Sequence, residues 1–350
     1  MLLPDAECGI PCKFRLSKEC LKIMTGKRKI WIDLVRGFCM LAILVHHTEI
    51  YYTGEAIIDY RFFVDNSLCT FFFISGYLFY KETPFNLGYK LRSVLKTIIL
   101  PYFIFMSVIA LPKALTHGTF VSIGDSILSI VLGRQSWFIT ALATAEIIFS
   151  ILLHLSKQYK WILPIGVILS LTAVILLTGN GTMLAHNYWS IMEGLLAISF
   201  LYIGYLYHQK ESVISRIPLY LYILFFVLFL ISKWIIARYD VYCYFGSADI
   251  DNYPVFIIDN LLAILLITRL CQLLPDIKPV SWMGSHVIVY YFLCGGVPLT
   301  MSVLADRIGF SYKGIYLQVI IVLIPVYLLT TLLTWFTYRY IPWATGRFNR

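Results

Sequence analysis

The sequence predicts an all-α integral membrane protein, and two observations lead to that fold class. Of the 350 residues, 59% are hydrophobic and only 13% are charged, and the mean hydropathy is +0.79. The apolar residues also fall into about ten separate runs, each near the length that a helix needs to cross a bilayer. A soluble globular domain is less apolar than this. We therefore expect a polytopic protein of about ten transmembrane helices, with the lipid bilayer as its surroundings.

The predicted spans divide the chain into three parts. We expect a basic cytoplasmic tail over residues 1–29, a transmembrane domain over 30–340 and a short cytoplasmic tail over 341–350. The first tail lacks the apolar core of a signal peptide. Residues 121–132 are too short to span and are predicted to form an interfacial helix. The ten predicted spans are 30–52, 61–80, 92–112, 136–155, 161–178, 189–208, 216–237, 254–274, 284–304 and 314–337.

The basic residues predict the orientation of these spans. With the N-terminus in the cytoplasm, twenty Lys and Arg residues fall in cytoplasmic segments and six in outer segments. This asymmetry matches the positive-inside rule, so both termini are predicted to be cytoplasmic. The rule also accounts for the net charge of +9 without a nucleic-acid partner. The eight cysteines have no metal-like spacing, so we expect no metal site and no disulfide framework.

The first span is unusual because it carries five ionisable residues, Asp33, Arg36, His46, His47 and Glu49. Such groups are costly inside a membrane and normally face a cavity or one another. Arg36 and His47 are eleven residues apart, so a helix places them on one face, about 16 Å apart along its axis. Asp33 lies one turn before Arg36 on nearly the same face, whereas His46 points roughly 80° away. We interpret Arg36 and His47 as a functional pair, supported by Asp33.

Further motifs join this pair in chain order. They are the segments 70–79 (TFFFISGYLF), 90–102 (KLRSVLKTIILPY) and 137–142 (WFITAL). Together with Arg36 and His47 they resemble the acyltransferase-3 family of integral membrane acyltransferases, and in particular its fucose 4-O-acetylase-like branch. The resemblance covers about residues 30–340. It implies a ten-helix enzyme of the bacterial inner membrane that moves an acyl group from cytoplasmic acyl-CoA, most simply acetyl-CoA, to a hydroxyl of a glycan or glycolipid.

Two residues are the candidates for the chemistry. A histidine can accept the proton of a sugar hydroxyl or carry an acyl group itself, so His47 is the predicted catalyst in either role. Arg36 stays protonated and can bind a phosphate or hold a thioester carbonyl. No tightly bound cofactor is expected, because acyl-CoA enters as a substrate.

Other residues are predicted to bind the donor. Lys90, Arg92 and Lys96 lie at the inner end of the third span, where they suit nucleotide phosphates or form an ordinary basic collar. Ser75 precedes Gly76, and this pair favours close helix packing, with a polar contact of Ser75 to the donor as the second interpretation.

Three carboxylates and two further polar or aromatic residues complete the predicted site. Glu146 and Glu193 lie deep inside spans and need partners, and either is a candidate for orienting His47. Asp65, Asn66 and Trp137 are placed on the acceptor side.

The sequence also departs from the family pattern. Many relatives carry a histidine late in the ninth span, where this chain has Cys294, and a Ser-x-x-Glu-Glu pattern where it has Ala141 and Leu142. These differences leave the predicted donor and catalytic residues intact, but the identity of the acceptor does not follow from the resemblance.

The alternative function is a multi-spanning transporter of a small or glycan substrate, since ten spans with buried charge fit that class too. No internal repeat supports it.

Overall fold

The computed structural model describes residues 29–81, 83–116, 123–178 and 187–347. The predicted N-terminal tail before Lys29 lies outside these residues. The described part is an all-α bundle of fourteen α-helices of seven or more residues, with a further single turn over Glu211–Ile214 and almost no strand, which confirms the predicted fold class. We number the helices α1 Ile30–Thr53, α2 Val64–Phe79, α3 Leu87–Val94, α4 Leu100–Thr116, α5 Ile123–Val131, α6 Trp137–Leu155, α7 Ile162–Thr178, α8 Ile191–Gln209, α9 Leu219–Arg238, α10 Tyr253–Leu273, α11 Lys278–Ser285, α12 Val287–Leu293, α13 Gly296–Arg307 and α14 Leu317–Tyr340.

Helices occupy all ten predicted spans, although they differ in length and continuity. Seven helical segments among the described residues are long and apolar enough to cross a membrane, and a bent pair, α12 with α13, makes an eighth. This pair bends by 48°, so the predicted span 284–304 is broken and not one continuous helix. The remaining two helices, α2 and α7, have 16 and 17 residues. The predicted interfacial segment contains α5.

The short helix α2 lies at the centre of the bundle. All of its residues are buried except Leu78. A helix that is surrounded by protein does not have to match the thickness of the bilayer, because its ends are covered by other parts of the chain. This explains why a helix of 16 residues occupies a position where the sequence predicts a span of ordinary length.

Glycines bring α2 and α8 into backbone contact. A Cβ atom placed on Gly76 would lie 1.9 Å from the carbonyl oxygen of Leu201, and one placed on Gly204 would lie 1.9 Å from that of Phe73. Only a residue without a side chain fits at such contacts. The packing role predicted for Gly76 is therefore present, and it is reciprocal, since Gly204 plays the same part on α8.

A second backbone contact joins α1 to α11. A Cβ atom on Gly284 would lie 1.8 Å from the carbonyl oxygen of Asp33, and one on Gly37 would lie 2.1 Å from that of Val280. The first third of α1, which carries Asp33 and Arg36, is thus fixed against the short helix α11.

Hydrogen bonds at the helix ends define two ends of the bundle. Lys29 Nζ, before α1, and Tyr77 Oη, near the end of α2, each donate to Glu211 Oε2 just after α8, both at 2.6 Å. At the opposite end, Tyr52 Oη donates to the carbonyl oxygen of Phe310 at 2.8 Å. We call these the inner end and the outer end, following the orientation that the basic residues predict.

The segment between α9 and α10 folds back onto the outer end. It forms a hairpin of two short antiparallel strands, β1 Cys243–Tyr244 and β2 Asp249–Ile250. Phe245 in its turn is fully buried, and its ring stacks on that of Phe72 in α2 with 5.2 Å between centroids. The hairpin therefore lies against the outer half of α2, from Asp65 to Phe72.

The contact between α2 and α8 gives a testable prediction. We expect Gly204→Ala to destabilise the protein by about 1–3 kcal/mol, because the added methyl group has to displace the backbone of α2. Thermal unfolding in detergent measures the effect. Gly296→Ala is the matched control, since a Cβ atom there meets nothing within 4 Å. Equal melting temperatures for the two variants would contradict this account of the helix contact.

Candidate active site

The predicted pair of Arg36 and His47 lies on one continuous helix, α1. Both side chains are half-buried, and they lie about 16 Å apart along the helix axis. Arg36 is near the inner end, beside the contact with α11, and His47 is near the outer end. Asp33 is buried, with 7% of its surface exposed. The helix therefore carries a guanidinium group and an imidazole at two different depths.

The two adjacent histidines have different neighbours. The ring of His46 lies 5.3 Å from that of Tyr60 and 5.9 Å from that of Phe63, in the segment before α2. The ring of His47 stacks on that of Tyr51 at 6.2 Å, and the two imidazoles are 6.0 Å apart. The His46 ring therefore packs against the segment before α2, whereas the His47 ring packs against Tyr51, one turn farther along α1.

Buried polar atoms without partners gather beside these histidines. His46 Nδ1, Tyr60 Oη and Asp65 Oδ2 are buried and have no hydrogen-bond partner among the described residues. Burial, and then the nearby Asp65 carboxylate, raise the pKa of Tyr60 well above its ordinary value, so its hydroxyl remains a donor. Unpaired buried polar atoms are rare and costly, and their grouping is typical of a place that a bound molecule completes.

The hairpin connects Asp65 to Trp137. Asp65 Oδ1 accepts a hydrogen bond from the backbone N–H of Phe245 at 3.1 Å. Trp137, the first residue of α6, packs its ring 6.0 Å from that of Phe245. Two of the three residues predicted on the acceptor side, Asp65 and Trp137, are therefore neighbours at the outer end.

The break between α12 and α13 also faces this region. Cys294 occupies the break, is buried, and its thiol donates to the carbonyl oxygen of Tyr291 at 2.9 Å. A Cβ atom on the next residue, Gly295, would lie 3.7 Å from Tyr51 Oη. The position at which relatives are expected to carry a histidine thus lies beside the ring on which His47 stacks.

Neither predicted orienting carboxylate contacts His47. Glu146 accepts a hydrogen bond from Ser75 and forms an ion pair with Lys90 at 2.8 Å. Glu193 Oε2 accepts from Asn187 Nδ2 at 2.7 Å. The two carboxylates are therefore engaged elsewhere, and the Ser75 hydroxyl contacts a side chain of the protein.

A polar cavity of about 840 Å³ opens at the inner end. Three lysines line it, Lys81, Lys90 and Lys157, together with aromatic rings that include Phe79 and Tyr89. Lys90 Nζ lies 3.9 Å from the centre of the Phe79 ring. Lys90 was predicted as a donor-binding residue together with other basic residues of the third span. Lys81 and Lys157, which line the cavity from other segments, were not among the predicted residues.

The other predicted donor-binding residues lie apart from this cavity. Arg92 and Lys96 are exposed and are not among its lining residues, and neither is Arg36. Arg92 is two residues after Lys90, and on an α-helix this offset turns a side chain by about 200°. Lys96 lies beyond the end of α3, in a short π-helical segment over Leu95–Ile99. Of the three basic residues predicted to bind the donor together, only Lys90 lines the cavity.

A buried polar network between α2, α9 and α10 was missed. Lys233 Nζ donates to Asp259 Oδ2 at 2.7 Å and to Asn66 Oδ1 at 2.8 Å. Asn66 Nδ2 in turn donates to Asp259 and to Asn260 at 2.8 and 2.9 Å. Both ends of the Asn66 amide are thus used to join helices, and the residue does not face the Asp65 cluster. The sequence does contain a signal for the pairing of Lys233 with Asp259, because a lone cation and a carboxylate lie in neighbouring predicted spans.

Comparison with known proteins identifies the family. The family model of the acyltransferase domain Acyl_transf_3 matches residues 29–343, and the chain therefore belongs to this family. No curated protein and no solved structure matches the chain. The expected membership of the acyltransferase-3 family is confirmed, and the protein is a membrane acyltransferase.

The buried pair of Lys233 and Asp259 gives a prediction about stability. Asp259→Asn leaves the ammonium group buried without its counter-ion, and we expect a loss of about 3–5 kcal/mol. The double variant Asp259→Asn with Lys233→Met should be more stable than the single one, because the uncompensated charge is gone. Chemical unfolding of purified protein measures both.

A surface pair serves as the control. Asp276 pairs with Lys278, whose side chain is 84% exposed, at 2.6 Å. Asp276→Asn should leave stability nearly unchanged, because water screens exposed ion pairs. If Asp259→Asn behaves like this control, Lys233 and Asp259 do not hold the helices together.

Proposed function

We propose that this acyltransferase moves an acetyl group from acyl-CoA at the cytoplasmic face to a hydroxyl of a glycan or glycolipid at the outer face of a bacterial inner membrane. The observation that carries the proposal is the placement of two unlike sites at opposite ends of one bundle. A cavity lined by three lysines lies at the inner end, and paired histidines with unpartnered polar atoms lie toward the outer end. The first suits a polyanionic donor, and the second suits an uncharged hydroxylated acceptor.

The donor would enter through the inner cavity. Lys81 and Lys157 would provide ammonium groups for the nucleotide phosphates of coenzyme A, and Tyr89 would provide a ring for its adenine base. Lys90 lines the same cavity, but its charge is shared with Glu146. Arg36, farther along α1, would bind an oxygen of the donor arm or of the thioester carbonyl. A planar guanidinium group can hold two such oxygens at once.

His47 would act on the acceptor hydroxyl. In the direct route, its imidazole takes the hydroxyl proton while the hydroxyl oxygen attacks the thioester carbonyl carbon. The new C–O bond forms as the C–S bond breaks, and the imidazolium returns the proton to the departing thiolate. The alternative route has His47 accept the acyl group first and pass it to the hydroxyl. Both routes end with the ester and the free thiol of coenzyme A.

The unpartnered polar atoms would hold the acceptor. Tyr60 offers a hydroxyl donor, Asp65 offers a carboxylate oxygen and His46 offers a ring nitrogen, all without described partners. Trp137 adds an aromatic edge close to Asp65, and aromatic rings combined with polar side chains suit sugars. Asn66 is not included, because its amide is already bonded to Lys233, Asp259 and Asn260.

A transporter is the rival class, and a donor assay separates the two. Purified protein is supplied with labelled acetyl-CoA and an oligosaccharide acceptor extract. Transfer of label to the acceptor, or hydrolysis of the thioester without acceptor, supports the proposed reaction. Movement of a glycan across the membrane without use of acetyl-CoA would overturn it.

The role of His47 gives a prediction about turnover. We expect His47→Gln to lower the rate of acetyl transfer by about 10²–10⁴-fold, the usual contribution of a general base, while the protein remains folded. Donor affinity should change little, since His47 is far from the inner cavity.

Two further histidines test whether the effect is specific. His154→Gln, at an exposed inner position on α6, should retain normal turnover. His46→Gln should retain more activity than His47→Gln, because its ring points toward α2. Equal losses at His46 and His47 would remove the argument from helical direction.

The donor site gives a prediction about affinity. We expect Lys157→Gln and Arg36→Lys each to weaken acetyl-CoA binding about tenfold or more, the effect of losing one charge-assisted hydrogen bond. Arg92→Gln is the control, since Arg92 is exposed and lies outside the cavity lining. Calorimetric titration of detergent-purified protein measures all three. A larger effect at Arg92 than at Lys157 would place the donor outside this cavity.

A further inference from the structure

A second cavity, of about 800 Å³, lies between α1, α2, α9 and α10. Its wall is almost entirely apolar and includes Phe38, Phe63, Phe226 and Leu266. Three of its lining residues, Ile223 and Phe226 on α9 and Leu270 on α10, are each at least half exposed, so the cavity reaches the lipid-facing side of the bundle. We call this cavity the lateral crevice. A sideways opening in a membrane protein faces lipid, so a lipid chain has direct access to it.

The crevice has the depth of one leaflet. On α9 it extends from Leu219, at the inner end, to Phe229, which is ten residues or about 15 Å along the helix. On α10 it covers the corresponding stretch from Leu273 back to Ala263. Half of a hydrocarbon core of about 30 Å has the same depth. The crevice therefore matches the length of one hydrocarbon chain in the inner leaflet.

A cation stands at the inner mouth of the crevice. Arg269, in the last two turns of α10, lines the cavity and is half-buried, with its guanidinium carbon 5.5 Å from the centre of the Tyr222 ring. Its Nε atom is buried without a hydrogen-bond partner, and no carboxylate of the described residues pairs with it. A partly buried guanidinium group at the membrane interface favours an anion with several oxygens, above all a phosphate.

The far end of the crevice is closed by polar groups. Asn66 lines it there, with its amide bonded to Lys233 and Asp259. A hydrocarbon chain that enters from the inner leaflet therefore ends at this network. The crevice thus has a cation at its inner mouth, an apolar wall and a closed far end. These features suit a lipid with an anionic head group.

We propose that the lateral crevice binds one chain of an anionic glycerophospholipid of the inner leaflet, with its phosphate on Arg269. This site is separate from the inner cavity and from the histidines, and it does not depend on the proposed reaction. Its far wall nevertheless touches the reaction region, since Phe63 lines the crevice and packs 5.9 Å from the ring of His46. A bound lipid would therefore support the side of α1 that carries the histidines.

Native mass spectrometry of the full-length protein tests the lipid site. Detergent-purified protein is titrated with phosphatidylglycerol or with phosphatidylcholine of the same chains. We expect the wild type to retain the first lipid about tenfold better, which corresponds to one charge-assisted hydrogen bond. Arg269→Gln should abolish the preference. Arg216→Gln, which removes an exposed arginine from the same end of the bundle, should keep it.

A second pair of variants tests the crevice itself. Ala42→Phe fills part of the cavity wall on α1 and should lower retention of both lipids. Ala237→Phe adds the same ring to an exposed position on α9 and should not. If Ala42→Phe fails to fold, the comparison of Arg269→Gln with Arg216→Gln still decides. Equal retention of the two lipids by the wild type, or an unchanged preference in Arg269→Gln, would overturn the proposal. Displacement of phosphatidylglycerol by an equimolar polyprenyl phosphate would overturn it too, in favour of a lipid-linked acceptor.

Discussion

The pairing of charged side chains inside an apolar bundle is the interaction on which the rest of the structure depends. In the bilayer core no water is available to a polar group, so each one has to find its partner within the protein. Lys90 meets Glu146 across α3 and α6, and Lys233 meets Asp259 across α9 and α10. Glu49, fully buried on α1, accepts from Tyr316 Oη at 2.7 Å. Each pair joins two different elements and fixes how they are placed against one another.

The region around His46 departs from this rule, because several unpartnered polar atoms lie close together there. Most buried charges are paired, yet His46 Nδ1, Tyr60 Oη and Asp65 Oδ2 have no described partner. Leaving such groups unpaired costs stability, and proteins accept that cost mainly where binding or chemistry needs the groups free. The backbone contacts through Gly37 and Gly284 hold α1 rigidly at its other end. A rigid helix with an incomplete polar cluster is a reasonable arrangement for an acyl-transfer site.

Sequence reasoning recovers local features well and long-range ones poorly. Hydropathy locates a helix at every predicted span, because a transmembrane helix is a property of twenty consecutive residues. The direction of His46 relative to His47 follows in the same way from the helical repeat. The break near Cys294 and the shortness of α2 do not follow, since both depend on the protein that surrounds them. Hydropathy cannot tell a helix buried in protein from one buried in lipid.

The partners of ionisable groups are the main feature that the sequence leaves undetermined. Glu146 was a candidate to orient His47, and it pairs instead with Lys90, a residue 56 positions earlier. Lys81 and Lys157 join the inner cavity from different segments, whereas Arg92 and Lys96, close to Lys90 in sequence, do not. Proximity along the chain is a poor guide here, because a helix turns neighbouring side chains away from one another.

The separation of the two ends constrains how the proposed reaction can proceed. Phosphates are too costly to move through an apolar bundle, so in the proposed reaction the nucleotide of a coenzyme A donor would remain in the inner cavity. A sugar has several hydroxyl groups and likewise favours the outer end, where polar atoms are unpaired. Only a thin, uncharged arm that carries the thioester can cross the middle of the bundle. On α1, Arg36 lies between the inner end and His47, so it is the residue that such an arm would pass. The proposed reaction therefore depends on the position of Arg36 along α1 as well as on its charge.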